Sequence, residues 1–220
     1  MLGLCRKGAR ILVSEANSPT RKLKYTEEAV WLDGRDGGFW VGVNTSMPER
    51  LFEKAFRAGA LPFAQGYDTL KKQVRYGQSR LDVCLSGPGV SDFFIECKNV
   101  TLVEDEVAAF PDARSLRAQK HLLTLMELVR LGNHCAMFYL VQRPDGRCFH
   151  PADYIDSSYA KLFREALKAG VRVYVYVYRA LVTERGVALA EALPLSPELS
   201  SCGKKPYEEN GSSTVRSERG

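Results

Sequence analysis

No window of this 220-residue chain approaches the ~18 uninterrupted apolar residues that a membrane-spanning helix needs. Met1 to Gly8 lacks the apolar core of a signal peptide, so a cytoplasmic protein with no membrane part is expected. The six cysteines contain no C-x-x-C pair and only three histidines are present, so the close ligand pairs of a structural zinc cluster are missing. Internal repeats are absent. Gly (18) and Pro (10) are too few for a collagenous or low-complexity chain.

What is there describes a globular protein: 45% hydrophobic and 26% charged residues in a chain long enough to bury a real core. Cys84, Cys97 and Cys135 sit inside apolar strand-like runs and read as small reduced core residues. The net charge of +5 is unevenly spread. Residues 1–80 hold 14 Lys and Arg against 8 Asp and Glu, whereas residues 81–150 hold 7 against 9. A basic first third beside a mildly acidic middle suits a protein that grips a polyanion with one part and sets carboxylates against it with another. An ordinary solvated surface accounts for the same numbers.

The first third reads as a small antiparallel meander over 9–14, 23–32 and 39–43, too poor in apolar residues to stand alone. Pro48 opens a helix over 48–58, stopped by Gly59. Strands follow at 70–76, 80–86 and 93–98, then an irregular stretch over 99–112 and a helix over 113–131 with Leu116, Leu123 and Met126 on one stripe. The apolar run 134–142 reads as a strand buried on both faces. A helix over 157–168, a strand over 171–178 and a short last strand near 187–192 complete an α/β sandwich with a mixed central sheet. Past Pro197 almost nothing is apolar, so residues 198–220 are expected to be a disordered tail.

Chemistry concentrates in two of these elements. Glu96 and Lys98 alternate in FFIECK and so project from one face of their strand, and pairing through the GPGVSD hairpin would bring Asp82 of RLDVCLS close to them. Two neighbouring carboxylates repel unless a proton or a cation joins them, and a divalent metal is the natural third partner. Mg2+ or Mn2+ there would polarise a phosphodiester, with Lys98 orienting or deprotonating the attacking water. Such triplets also occur on solvated strands as plain ion pairs, but the apolar Phe93, Phe94 and Ile95 place this one at the end of a buried strand. On the following helix Arg114, Arg117, Lys120 and His121 recur at spacings of three and four, a cationic stripe expected opposite the Leu/Met face.

The segments VNTSMPERLFEKAF, LKKQVRYGQSRLDVCL, IECKNVTLVE, FPDARSLRAQKHL and HPADYIDSSYAKLFREALKAGVRVYVY closely resemble the SfsA family, the sugar fermentation stimulation proteins, from about Gly8 to Leu195. The resemblance implies a partial OB-like nucleic-acid-binding domain over 1–46, an incomplete barrel because the family carries further strands upstream. It also implies a restriction-endonuclease-like PD-(D/E)xK domain over 47–197. Carried over, the catalytic positions are Asp82, Glu96 and Lys98, with Asp82, Glu96 and the Cys97 backbone carbonyl as metal ligands. Arg117, Lys120 and His121 match the helix motif, and Arg21, Lys22 and Tyr25 match the barrel segment expected to touch DNA or RNA. Two functions fit: a metal-dependent DNA or RNA nuclease, or a DNA-binding regulator of sugar (maltose) utilisation genes with weak or no cleavage. Gln73 bears on the choice, because the family pattern suggests a carboxylate there and Gln73 offers a neutral oxygen. The oligomeric state, with a homodimer among the options, is left open.

Overall fold

The computed structural model describes residues 3, 4, 6–15, 22–34, 37–183 and 186–195, from residue 178 onward as backbone strand only. Arg21 and the expected tail over 198–220 therefore lie outside the described residues. Three strands, β1 (Ile11–Glu15), β2 (Tyr25–Leu32) and β3 (Phe39–Gly42), form an antiparallel meander in the order β1-β2-β3. Val30, Val41 and Val43 close with Leu4 into a core of their own.

The main body is a six-stranded mixed sheet. Helix α1 (Met47–Arg57) precedes β4 (Thr69–Tyr76), β5 (Ser79–Gly87) and β6 (Val90–Val100), which run antiparallel to one another. Helix α2 (Leu116–Arg130) then crosses to β9 (His134–Val141), parallel to β6, and helix α3 (Ser157–Ala169) crosses to β11 (Arg172–Thr183), parallel to β9. Strand β12 (Gly186–Leu195) closes the order β12-β11-β9-β6-β5-β4. Such parallel crossovers need a helix each, and the helices cover both faces of the sheet. On one face α1 sends the fully buried Phe52 edge-on to Phe138 at 5.2 Å, a burial worth roughly 2–3 kcal/mol. On the other, Leu122 and Leu125 of α2 and Tyr159 and Phe163 of α3 pack over Met137, Tyr139 and Val141.

Two expectations need correction. The stretch 99–112 is not irregular: β7 (Leu102–Glu104) and β8 (Val107–Phe110) pair through Asp105 and Glu106, both at positive φ, and β10 (Cys148–Pro151) joins β8 in parallel. Alanines on β8 and a turn without glycine gave no strand signal. On α2 the buried face carries Ala118, His121, Leu122 and Leu125, whereas Leu116 and Leu123 are exposed, so His121 belongs to the interior and not to a wet cationic stripe. Cys84, Cys97 and Cys135 are free and buried as expected, while Cys148 is disulfide-bonded. No helix among the described residues is long and apolar enough to cross a membrane.

One buried glutamine fastens the meander to the main sheet. Gln142, just past β9, accepts the Gly42 N–H on its backbone carbonyl (2.9 Å), and its side chain donates to Asn99 Oδ1 (2.5 Å). A Cβ on Gly42 would stand 2.1 Å from Gln142 Oε1 and 2.7 Å from its Cδ. Gly42→Ala is therefore expected to destabilise the fold by roughly 1–3 kcal/mol through overpacking. Urea denaturation checks this, and an unchanged midpoint would show that the glutamine yields freely.

Candidate functional site

The site forms where β4 and β5 lose their regular pairing. Lys72 pairs with Val83 and Val74 with Leu81, so Gln73 and Asp82 are both left out of the ladder, and Gln73 takes φ +54. The register is the same on either side, so no residue is inserted; the left-handed backbone of Gln73 interrupts the ladder locally and re-aims its side chain. Gln73 Nε2 donates to Asp82 Oδ1 (3.1 Å) and to Glu49 Oε2 (2.6 Å) on the first turn of α1. The β5–β6 hairpin pairs Val83 with Ile95, a register that sets Asp82 opposite Glu96. Asp82 Oδ2 accepts the backbone N–H of Cys97 at 2.9 Å, taking the place of a ladder bond where the strands part.

Glu96 and Lys98 share the face turned toward α2. Lys98 Nζ donates to Glu96 Oε1 (2.6 Å), and His121 Nδ1 bonds the same oxygen while lying 3.3 Å from Lys98 Nζ. Glu96 is 1% exposed and its second oxygen, Oε2, is buried without a hydrogen-bond partner. An ionised carboxylate oxygen in that position is costly unless a ligand or cation completes it.

The electrostatics set the two carboxylates apart. Burial, then the charge of Glu96, raises the pKa of Asp82 above the usual aspartate range, and the hydrogen bonds from Cys97 and Gln73 only partly offset this. Burial acts upward on Glu96 too, but the His121 hydrogen bond and the Lys98 charge outweigh it and the net shift is downward. The Cys97 thiol is pushed well up by burial and by three nearby carboxylates, which leaves it inert as a nucleophile.

Asp82, Glu96, Lys98 and His121 are thus brought together, with His121 buried under Glu96 and away from solvent. Lys120 Nζ donates to the Gln78 carbonyl at 3.0 Å, and Arg117 is exposed on the same helix. Lys22 and Tyr25 are exposed on the N-terminal meander. Glu49 is the member that the sequence reading misses. An acidic residue in the first turn of a helix is ordinary, so nothing in PERLFEK distinguishes it.

Among the described residues no three His, Cys, Asp or Glu side chains converge into a ready-made metal cage. The orphaned Glu96 oxygen beside the raised Asp82 nonetheless fits a cation that takes one or two carboxylates and fills its shell with water and phosphate oxygens, as Mg2+ does.

Comparison with known proteins agrees with this architecture. Two family models match the chain, "SfsA N-terminal OB domain" over residues 1–43 and "Sugar fermentation stimulation protein RE domain" over residues 46–185. Relatives named sugar fermentation stimulation protein homolog include one from Maridesulfovibrio salexigens, 48% identical over 198 residues (89% of this chain, 80% of the relative). Another, from Syntrophobacter fumaroxidans, is 49% identical over 193 residues (88% and 71%). The structure of Pyrococcus furiosus SfsA in complex with Ca2+ superposes with a TM-score of 0.74 at 25% identity, covering 84% of this chain and 77% of that one. With both halves of the chain matched, and relatives at nearly half identity along most of its length, the protein belongs to the SfsA family of sugar fermentation stimulation proteins.

Proposed function

We propose that this chain is a divalent-cation-dependent phosphodiesterase acting on DNA or RNA. The observation that carries the reading is the buried, unpartnered Glu96 Oε2 beside Asp82, with Lys98 held on the other Glu96 oxygen. Asp82 and Glu96, with the Cys97 backbone carbonyl, would hold Mg2+ or Mn2+. When bound, the cation supplies a Lewis acid and makes its bound water more acidic. Lys98, anchored at 2.6 Å by Glu96, would place its ammonium against the phosphoryl oxygens and orient the attacking water. His121 fixes Glu96 from beneath, which makes it a positioning residue. Support also comes from the OB-domain match and from the Ca2+ in the Pyrococcus relative.

Gln73 favours a second reading, a nucleic-acid-binding regulator with weak or no cleavage. Its amide donates to both Glu49 and Asp82, where a carboxylate would instead add charge for a cation. A time course of plasmid, single-stranded DNA and RNA with Mg2+ or Mn2+, run beside Gln73→Glu, separates the two. Cleavage that Gln73→Glu accelerates, together with a cation-dependent rise in Tm without substrate, is expected. Binding with no cleavage by either protein would replace the nuclease with the regulator.

A further inference from the structure

The only two tryptophans of the chain, Trp31 and Trp40, face each other across β2 and β3 with ring centres 5.4 Å apart, edge to face. Their strand neighbours Val30 and Val41 turn to the opposite side and make the core of the meander, which leaves both indoles half-buried on the outside. The Arg10 guanidinium lies 4.4 Å from the Trp31 ring centre and 6.0 Å from that of Trp40. Along the end of β2 runs a groove of about 230 Å³ lined by Arg6, Lys7, Arg10 and Trp31. Its single carboxylate, Asp33, accepts the Trp31 indole N–H at 3.0 Å.

A structural cation–π stack requires one arginine and its ring. Here Arg6 and Lys7 add two more exposed cations, and among the described residues none of the three basic side chains enters an ion pair. Three cations against the single carboxylate Asp33, beside half-buried indoles, match the chemistry of a strand whose phosphates are spaced along its backbone and whose bases are free to stack. A duplex offers the phosphates but keeps its bases stacked inside. We infer that this groove docks single-stranded nucleic acid, with Arg6, Lys7 and Arg10 on phosphates and a base against the Trp31–Trp40 pair. The inference rests on the nucleic-acid part of the function proposed above and is independent of cleavage.

Because Trp31 lines the groove and Trp40, the chain's other tryptophan, packs against it, the selectively excited tryptophan fluorescence of the full chain reports on this region. In EDTA, which prevents cation-dependent cleavage, oligothymidylate or oligouridylate of about 20 nucleotides is expected to quench that fluorescence saturably, whereas a duplex of equal length leaves it nearly unchanged. Anisotropy of a labelled oligothymidylate should show binding weakened about tenfold or more in Trp31→Leu. In the Arg6→Gln, Lys7→Gln, Arg10→Gln triple variant the slope of log affinity against log salt should shrink by about 2. Circular dichroism confirms that each variant is folded, and Arg6→Gln, Lys7→Gln, both exposed and outside the strands, serves as the variant least able to disturb the meander. Unquenched tryptophans while anisotropy reports binding, equal quenching by duplex, or an unchanged salt slope in the folded variants would each overturn the inference. A chain that binds here and cuts nothing upholds it and removes only the nuclease.

Discussion

Asp82→Asn is expected to abolish cation-dependent cleavage, by about a thousandfold or more, while leaving the cation-free protein as stable as before or more so. On the proposed function the rate loss follows from removing a charged oxygen ligand of the cation, an effect of about 4 kcal/mol on the barrier. The stability result follows from the opposite side of the same charge. Burial and the neighbouring Glu96 raise the pKa of Asp82, so the fold prefers this carboxyl protonated. Its favourable contribution is complete below the unfolded-state pKa and is lost as pH rises through the folded value, so at neutral pH the ionised group destabilises the fold. Asparagine removes the charge and still accepts the Cys97 N–H that Asp82 accepts at 2.9 Å, giving up the longer bond from Gln73 (3.1 Å). The Tm in EDTA should therefore stay level or rise by about 2–4 °C, the shift that about 1 kcal/mol produces at this chain length. Cleavage above a tenth of the unsubstituted rate, or a drop in Tm, would remove Asp82 from the role assigned to it.

The same region shows which parts of the site are legible in a sequence. Alternation in FFIECK is a period-two signal, and it places Glu96 and Lys98 on one face, where they form an ion pair. The hairpin loop, rich in turn formers, fixes the register that sets Asp82 opposite Glu96. Gln73 is different. Its position in the site depends on a φ of +54 at a residue with no special preference for it, a conformation imposed by the surrounding strands and not by local chemistry. Glu49 joins the site through the Gln73 amide that this conformation aims at it.

Helix α2 fails in the sequence reading for a related reason. Leucines at 116, 122, 123, 125, 128 and 131 surround much of the helix, so periodicity alone cannot fix its rotation. The rotation is set by tertiary bonds: the Ser115 N–H at the start of the helix donates to Asp156 Oδ2, and His121 reaches Glu96. A buried polar pair thus decides which leucines face solvent, and Leu116 and Leu123 do so within the helix, as does Leu131 at its C-terminal cap.

The cap region yields the second large effect. Asp156→Ala is expected to destabilise the protein by about 2–3 kcal/mol at neutral pH, because one buried carboxylate satisfies donors from two helices. Its Oδ1 accepts the Tyr159 N–H at the start of α3, its Oδ2 accepts the Ser115 N–H before α2, and both oxygens take the Gln119 amide. Burial alone would raise its pKa, but these hydrogen bonds, from Ser115 and Tyr159 first and then Gln119, bring the net shift below the usual aspartate value. A depressed folded-state pKa contributes stability that is present above the unfolded value, about 3.9, and is lost as pH falls through the folded one. The difference in Tm between the unsubstituted protein and Asp156→Ala should accordingly hold constant from about pH 5 to 8 and narrow below about pH 4. Asp156→Asn keeps one acceptor and should recover part of the loss with a flatter acid dependence. Because Asp156 joins the start of α2 to α3, and α2 carries His121 to Glu96, the same substitution should loosen the support beneath the site without touching any group in it. Thermal melts across pH 3–8 test this: a Tm difference that persists unchanged to pH 3 would show that the charge of Asp156 contributes nothing and that only its packing matters.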